Sequence, residues 1–404
     1  MPGTLDTDIA IVGGGLAGST AAAMLARAGI RAVLIDPHPI YPPDFRCEKL
    51  DASQLALLHK TGLAGPVLRA ATADDEIMVA RFGRPIDRRP NAQYGLLYDT
   101  LVNTMRAEIP AEAPFIHGKA SAISTSRDRQ TLTLSTGDTI STRLVVLANG
   151  LNLALRHALG IGREVLSACH SISIGFDLAP VGRRGFDFRA LTYFPERVSS
   201  RMAYLTLFPI GAIMRANLFV YRDMQDPWLR QMRQAPQQAL DVLMPGLRKL
   251  TGETEIMDVK IRPVDLAVST NYRQPGIVLI GDAFTTSCPA AGTGCNKVFS
   301  DVELLCNHHI PRWLASEGMG ADKIAAFYDD PVRIACERFS RDKAFFLRAL
   351  STETGAFWQL RRLTRFVGGA GIGALRRLRA RVGAAAGDSS SATTTVQGLT
   401  TSKH

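Results

Sequence analysis

The chain has 404 residues, a length that predicts two or three structural units. Hydrophobic residues make up 46% of it and charged residues 21%, which suits a large folded core and excludes a disordered or collagen-like protein. The formal net charge is +10, but the segment 361–381 holds seven arginines and no acid. Subtracting those seven charges leaves +3 for the rest of the chain, so a nucleic-acid partner is not expected.

Cysteine usage and hydropathy bear on where the protein acts. The six cysteines show no Cys-x-x-Cys spacing and are too few to form a disulfide framework for a chain of this length. This favours a reducing compartment and predicts a cytoplasmic location. The longest uncharged run, residues 9–26, is glycine-rich and follows acidic residues. We interpret it as a strand, a turn and a helix rather than as a membrane span or a signal peptide.

A glycine-rich turn follows the first predicted strand, residues 8–12. It comprises Gly13, Gly14, Gly15, Leu16, Ala17 and Gly18, and an alanine-rich helix comes next. In such a unit Gly13 allows the tight turn, Gly15 lets the backbone approach a pyrophosphate, and Gly18 lets the helix pack closely on the strand. The N-terminus of the helix then faces the anion. The segment therefore predicts a dinucleotide site, the alternative being a glycine turn of an unrelated α/β protein.

An acid at the end of the second predicted strand supports the dinucleotide interpretation. The apolar residues 32–35 are followed by Asp36, 23 positions after Gly13. A carboxylate at this spacing can accept hydrogen bonds from a ribose 2′-hydroxyl and would repel a 2′-phosphate. The motif alone does not distinguish FAD from NAD.

A second motif lies near the other end of the chain. An aliphatic strand at 276–280 leads into Gly281-Asp282-Ala283, and an acid at a strand end can hold the hydroxyls of a ribityl chain. A loop rich in proline and glycine then opens a helix whose free N–H groups can meet a flavin ring carbonyl. The loop residues of interest are Pro289, Gly292, Gly294, Cys295 and Asn296.

Together the two motifs resemble the FAD-dependent aromatic hydroxylases of the para-hydroxybenzoate hydroxylase type, with geranylgeranyl reductases and flavin halogenases as wider relatives. The resemblance covers residues 5–160 and 270–330. It implies that Asp282 binds the ribityl chain and that Arg46 lies near the FAD pyrophosphate. It also implies that the pyrimidine side of the flavin is lined by Pro289, Gly292, Gly294, Cys295 and Asn296.

One motif of that family is altered here. The hydroxylases usually carry Asp-Gly in a turn that serves both FAD and the nicotinamide cofactor, whereas this chain has Asn149-Gly150. Asparagine can donate a hydrogen bond but carries no charge. The family's histidine shortly after the Gly-Asp pair is also absent, since Phe284 and two threonines follow.

The predicted fold is α/β: a Rossmann-type FAD-binding domain with an inserted antiparallel β-sheet substrate domain and a C-terminal helical region. Period-two alternation between residues 170 and 221 predicts the strands of the inserted sheet. The predicted division is 1–74, 111–165 and 270–335 for the FAD-binding domain, 75–110 and 166–269 for the substrate domain, 336–386 for the helical region and 387–404 for a disordered tail. Candidate pocket residues, each also a candidate for plain core, are Phe176, Tyr193, Tyr204, Phe208, Met214 and Phe219.

The resemblance implies a monooxygenase that acts on a small apolar or aromatic molecule. In that mechanism NADH or NADPH reduces the flavin, dioxygen adds to it, and the resulting hydroperoxide delivers one oxygen atom. Because the cofactor carries most of the chemistry, no catalytic side chain is assigned, and no metal site is expected. Two alternatives stay open: an FAD-dependent reductase or dehydrogenase of a prenyl or lipid-like substrate, and a non-catalytic FAD-binding protein.

The arginine-rich C-terminal segment, residues 356–382, also allows two interpretations. Its apolar positions include Trp358, Leu360 and Leu363. A basic amphipathic segment of this kind can contact an anionic membrane peripherally, or it can pack its apolar stripe on the flavin domain. The glycine cluster 368–373 follows arginine-rich helix rather than a strand, so it is interpreted as a hinge.

Overall fold

The computed structural model describes residues 3–364, which form two β-sheets and the helices packed on them. In chain order the strands are β1 (Thr4–Val12), β2 (Ala32–Asp36), β3 (Lys49–Asp51), β4 (Thr72–Arg81), β5 (Arg84–Gly95), β6 (Phe115–His117), β7 (Ala120–Ser124), β8 (Gln130–Leu134), β9 (Thr139–Leu147), β10 (Gly162–Pro180), β11 (Ala190–Tyr193), β12 (Met202–Ile210), β13 (Ile213–Val220), β14 (Thr254–Thr270) and β15 (Ile277–Leu279). The helices are α1 (Leu16–Arg27), α2 (Ala52–Lys60), α3 (Ala64–Ala70), α4 (Tyr98–Ala107), α5 (Ala154–Ala158), α6 (Pro227–Gln234), α7 (Pro236–Leu243), α8 (Arg248–Thr251), α9 (Gly294–Leu304), α10 (Ile310–Leu314), α11 (Ala321–Tyr328) and α12 (Pro331–Thr352).

The first sheet carries the dinucleotide motif. Its order is β6-β2-β1-β9-β8-β7, and β15 pairs with β9. The strands β6, β2, β1, β9 and β15 are parallel, with Ile9 opposite both Ala32 and Leu144. Parallel strands are covered on both faces, which explains why β2 is buried throughout. Because β1 and β15 run in the same direction, the motifs that follow them lie at the same end of this sheet, where the parallel strands finish.

The second sheet has eight strands in the order β14-β10-β13-β12-β11-β4-β5-β3. Its pairs are antiparallel except for β11 with β4. Along β10, the even-numbered residues Ile172, Ile174 and Phe176 join a core that also contains α6 and α7. Because side chains alternate across a strand, the odd-numbered residues of β10 face the opposite side, toward the first sheet.

The architecture confirms the predicted Rossmann-type domain with an inserted antiparallel sheet. The observed elements differ from the predicted domain division at three places. The helix α4, grouped by the sequence with the substrate domain, packs instead on α1 and α3 in the core of the first sheet. Residues 49–51 pair with β5 and so belong to the second sheet. A boundary at 336 would cut α12, which begins at Pro331. The first two differences arise from contacts between distant segments, which local patterns do not report.

The C-terminal segment is described only in part. Residues 356–364 are helical; Trp358 packs against Phe346, with ring centroids 5.8 Å apart. The side chains of Leu360 and Leu363 stay about 60% and 57% exposed. The prediction that the apolar stripe packs on the flavin domain is therefore wrong for Leu360 and Leu363. The predictions for the glycine cluster and for the tail lie outside the described residues. Among the helices of residues 3–364, none is long and apolar enough to cross a bilayer.

Candidate active site

The glycine turn after β1 is shaped by close backbone contacts. Gly13 has φ +105°, and a Cβ atom there would lie 2.6 Å from the carbonyl oxygen of Ala148. A Cβ on Gly18 would lie 1.8 Å from the carbonyl oxygen of Gly13, so α1 can pack on the turn only without a side chain at this position. Both features agree with the sequence prediction. A Cβ on Gly15 would meet no protein atom within 4 Å, and Gly15 lines a large cavity.

Asp36 lies beside this turn and is held from three directions. Its Oδ2 accepts from the Gly14 N–H at 2.7 Å and its Oδ1 accepts from the His38 N–H at 2.9 Å. The Arg106 guanidinium is 3.2 Å from Oδ1 and also donates to the Gly14 carbonyl. A carboxylate has about four acceptor positions, so Asp36, which lines the cavity, retains capacity for a ribose hydroxyl.

Arg46 and Asp282 meet in the middle of the cavity wall. Nη1 of Arg46 donates to Oδ2 of Asp282 at 2.7 Å, and its Nε donates to Asp44 at 2.6 Å. Asp44 in turn accepts from Arg262 at 2.8 Å. Both Arg46 and Asp282 are partly exposed to the cavity. The structure thus brings together the two residues that the resemblance assigns to the pyrophosphate and to the ribityl chain.

Arg156 connects the Asn149-Gly150 turn with the Asp282 turn. It is buried, and it donates to the Ala283 carbonyl at 2.6 Å and to the Gly150 carbonyl at 3.0 Å. Burial lowers the pKa of this guanidinium from its usual value. The Asn149 amide donates to the Asn152 carbonyl at 3.2 Å, while its Oδ1 is buried without a hydrogen-bond partner among the described residues. An unpaired buried acceptor on a cavity wall suits a ligand that donates a hydrogen bond.

The proline–glycine loop ends the cavity at the N-terminus of α9. Residues Pro289–Ala291 form a 3-10 turn, which Gly292 ends at φ +64°. Gln54 of α2 donates to the Gly292 carbonyl at 2.9 Å. The first residues of α9, Gly294 and Cys295, line this end of the cavity, and the first N–H groups of a helix have no partner within it.

Asn296 is the exception among the predicted loop residues. It does not line the cavity, because its amide donates to Ser53 Oγ at 3.0 Å on the side of α9 that packs against α2. Gly18 also lies away from the cavity, in its packing position against Gly13 of the turn. The predicted residues that do line the cavity are Gly13, Gly15, Leu16, Ala17, Asp36, Arg46, Asp282, Pro289, Gly292, Gly294 and Cys295.

The cavity has a volume of about 1160 Å³ and extends from the glycine turn to the second sheet. This exceeds the upper range of about 1,000 Å³ for the pocket of one small ligand. The far end is formed by the inward face of the sheet, which we call the floor. The floor residues lie on β10, β13 and β12 and are Ser173, Asn217, Phe219, Tyr204 and Thr206.

The floor combines rings with hydroxyl and amide groups. The rings of Tyr204 and Phe219 meet edge to face at 5.2 Å between centroids, and the Tyr204 hydroxyl donates to the Ala290 carbonyl at 2.6 Å. Ser173 is only 5% exposed, and its Oγ has no partner among the described residues. Of the candidate pocket residues, only Tyr204 and Phe219 line the cavity; Phe176 faces α6 and α7.

A buried ion pair closes the floor at one side. Glu48 accepts from Nε and Nη2 of Arg215, both at 2.9 Å, and Arg215 also donates to Asp177 at 2.8 Å. Glu48 and Arg215 are each about 2% exposed. In the orientation that satisfies both partners, the Asn217 amide donates to Glu48 Oε2 at 3.0 Å. Paired in this way, the two charges can remain buried.

Sequence reasoning missed several residues of the site. Arg106 offered one signal, because it sits among the apolar positions of α4, where an unpaired charge is not expected. Glu48 and Lys49 adjoin Arg46 in sequence but carry no motif of their own. Ser173 and Asn217 occupy inward positions of strands, and only the register of the sheet reveals which face that is.

The parallel sheet, the glycine turn and the large cavity define a class. The protein is an FAD-dependent oxidoreductase of the monooxygenase type, and the chain belongs to the FAD binding domain family, which matches residues 6–310. It is 27% identical over 321 residues to 3-demethoxyubiquinol 3-hydroxylase of Escherichia coli (strain K12), covering 74% of this chain and 78% of that protein. It is 26% identical over 354 residues to ubiquinone hydroxylase UbiL of Rhodospirillum rubrum, covering 78% and 74%.

Solved structures with this fold include p-nitrophenol 4-monooxygenase PnpA from Pseudomonas putida DLL-E4. The TM-score is 0.73 at 15% identity, and the match covers 92% of this chain and 94% of that one. Identity at this level shows the fold alone. It agrees with the two-sheet architecture derived above.

Proposed function

We propose that the protein uses NADH or NADPH to reduce its FAD and hydroxylates a small aromatic substrate with dioxygen as the oxygen source. The observation that carries the proposal is one continuous cavity, which joins the glycine turn to a floor of paired rings and polar groups. The names of the two curated relatives support the substrate class, because they describe hydroxylases of ubiquinol-type and ubiquinone-type molecules. FAD, when bound, supplies the redox chemistry.

The residues present fit such a cofactor along the whole wall. The open position at Gly15 and the N-terminus of α1 suit a pyrophosphate, and Arg46 adds a positive charge nearby. Asp282 has acceptor capacity beyond its bond to Arg46 for the hydroxyls of a ribityl chain. The N-terminus of α9, at Gly294 and Cys295, suits the polar edge of a flavin ring.

The chain's own contribution to hydroxylation is to orient the ring and exclude water. Tyr204 and Phe219 offer aromatic surfaces, and such pairs favour edge-to-face contact with another ring. Ser173, Asn217 and Thr206 supply polar groups that fix the orientation of substituents. A reactive centre enclosed between this floor and the Pro289 loop is protected from side reactions with water.

Isotope labelling tests the proposal. Purified protein with bound FAD is supplied with NADH or NADPH, labelled dioxygen and a panel of phenols, heteroaromatics and prenylated phenols. The expected result is flavin reduction by one nucleotide and label in a hydroxylated product. Product without label, or flavin that only a ferredoxin- or quinone-type donor reduces, would contradict the proposal and favour a reductase.

We also propose peripheral contact with an anionic membrane surface. On α12, Val332, Phe339 and Phe346 stand seven residues apart, on one exposed face. The exposed Phe357 continues this apolar face on the helix at 356–364. Arg361 lies 5.8 Å from the centre of the Phe357 ring, so positive charge accompanies the exposed rings. Rings and arginines in this combination suit a lipid interface.

Vesicle flotation tests this contact. We expect the full chain to float with phosphatidylserine-containing vesicles but not with purely zwitterionic ones. The double variant Phe339→Ser/Phe357→Ser should lose flotation, while Val242→Ser, which changes an exposed apolar residue of α7, should keep it. Equal behaviour of the two variants, or no flotation of the unmodified protein, would contradict membrane contact.

A further inference from the structure

The segment that leads into β3 and ends at its first residue lies across the floor of the cavity. The Phe45 ring covers Gly175 of β10, where a Cβ atom would lie 2.4 Å from the ring. Glu48 binds Arg215 of β13. The ammonium of Lys49 stands over the Phe208 ring of β12, 5.2 Å from its centre. Residues 45–49 thus bring one acid and one amine to the side of the floor.

Glu48 and Lys49 differ in how their charges are paired. Glu48 is fully engaged by Arg215 through two hydrogen bonds of 2.9 Å. Among the described residues, Lys49 Nζ has no carboxylate within 4.0 Å and no hydrogen bond; its contact is the face of Phe208. Lys49 lines the cavity and is only partly exposed. An ammonium has three donors, and those of Lys49 are left for a ligand.

The surroundings of Lys49 support the same conclusion. Burial lowers the pKa of Lys49 to about 8, against the opposing influence of Asp51, Cys47 and Asp74. A buried amine that lacks an ion-pair partner is stabilised in its charged form by an anion that enters beside it. The Ser173 hydroxyl on the same floor has no partner among the described residues, so it is a second, independent group that can bond a polar atom of a ligand.

We infer that the floor binds an aromatic substrate whose ring carries an acidic oxygen, a phenolic hydroxyl or a carboxylate, and that Lys49 is the residue that binds this oxygen. Where Lys49 is an ammonium, a carboxylate or a phenolate pairs with Nζ directly. Where it is a neutral amine, a phenol transfers its O–H proton to Nζ, which gives the same ammonium–phenolate pair and requires no other reactant. The rings of Tyr204 and Phe219 hold the aromatic body, and Ser173 bonds a further polar atom. The inference rests on the proposed function, because it specifies the substrate of the same site.

Ligand binding without an electron donor tests the inference. The probes are 4-nitrophenol, 4-nitrobenzoate and the neutral ether 4-nitroanisole, titrated against FAD-loaded protein. The variants are Lys49→Met and Lys49→Arg, with Lys60→Met as the control because Lys60 is exposed at the end of α2. Melting temperature and FAD content verify that each variant is folded.

We expect Lys49→Met to weaken binding of at least one acidic probe about ten- to hundredfold, the range for a charge-assisted hydrogen bond. Binding of the ether should change less than twofold, and Lys49→Arg should retain most of the preference for the acid. Bound 4-nitrophenol should show the phenolate absorption band in the unmodified protein and lose it in Lys49→Met. The phenol and benzoate arms identify which acidic oxygen is bound.

Equal losses for the acidic and neutral probes would overturn the inference, because Lys49 would then only shape the floor. It would also be overturned if the unmodified protein did not prefer either acid over the ether. These outcomes are separate from the labelling experiment. A protein that binds an acidic probe through Lys49 but inserts no labelled oxygen would refute the hydroxylase proposal and leave this one standing.

Discussion

Arg46 and Asp282 are 236 positions apart in the chain, and their side chains form an ion pair with 2.7 Å between Nη1 and Oδ2. The pair ties the loop after β2 to the turn after β15, so both ends of the dinucleotide-binding fold contribute to one stretch of cavity wall. Asp44 and Arg262 extend the pair into the second sheet. This network links the loop after β2, the turn after β15 and strand β14 along one wall of the cavity.

Replacing Asp282 tests its place in this network. If Asp282 bonds the ribityl chain as proposed, Asp282→Ala removes a charge-assisted hydrogen bond to the cofactor, and we expect FAD affinity to fall about ten- to hundredfold. Flavin fluorescence on titration of apoprotein measures the loss. Asp322→Ala, at an exposed position on α11, is the matched control. Unchanged affinity in a well-folded Asp282→Ala protein would leave Asp282 with a purely structural role.

The glycine turn allows cofactor binding to be separated from folding. A Cβ on Gly15 meets no protein atom, so Gly15→Ala should keep its melting temperature yet lose FAD affinity about tenfold or more, because the methyl group occupies the pyrophosphate approach. Gly18→Ala should instead lower the melting temperature, since its Cβ would overlap the Gly13 carbonyl. Gly185→Ala, at an open position, serves as the control for both. If Gly15→Ala lowered thermal stability as much as Gly18→Ala does, the distinction would be wrong.

The parts of the site that the sequence predicted are those set by local backbone demands. Gly13 and Asp36 belong to a strand–turn–helix unit whose spacing is fixed within about 25 residues, so their positions follow from the chain alone. Arg106 and Arg215 could not be placed in the same way. Their roles depend on which helix face meets α1 and on the register of β13 with β10, and those are decided by contacts between distant segments.

The buried Glu48–Arg215 pair should respond unequally to loss of either partner. Glu48→Gln leaves Arg215 with Asp177 at 2.8 Å, whereas Arg215→Met leaves Glu48 and Asp177 without their cation. Removing one partner of a buried pair costs about 3–5 kcal/mol in the free energy of unfolding. We expect the loss of unfolding free energy to be about 3 kcal/mol or less for Glu48→Gln and about 5 kcal/mol for Arg215→Met, the two limits of that range. Urea denaturation measures both losses. The reverse order would show that Asp177 does not support Arg215.

Binding of an anionic ligand should depend on pH through Lys49. Because the pKa of Lys49 is lowered to about 8, its ammonium is present below that pH and is lost above it. A benzoate stays ionised throughout this range, so its affinity should be constant up to about pH 7 and fall as the pH rises past 8. Lys49→Arg, whose guanidinium stays charged, should flatten the profile. Asp51, Asp74 and the Cys47 thiol face Lys49. A thiol ordinarily ionises near this pH, so a similar decline in Lys49→Arg would assign the titration to Cys47.

The Asn149 turn provides the sharpest test of the electron donor. Asn149 donates to the Asn152 carbonyl, and its own Oδ1 is buried without a partner among the described residues, so the amide presents a free acceptor to the cavity. If neutral hydrogen bonds suffice for nicotinamide docking, NADH or NADPH should bleach the flavin, and faster when an aromatic ligand is bound. Asn149→Asp restores the acid usual in this turn, and we expect it to leave the rate of reduction unchanged or to raise it, followed by stopped-flow absorbance. Asn152→Asp changes the neighbouring residue of the same turn and controls for added charge alone. A loss of reduction in Asn149→Asp that Asn152→Asp does not share would show that the neutral amide itself is required, and that this chain docks its donor differently from the Asp-Gly hydroxylases.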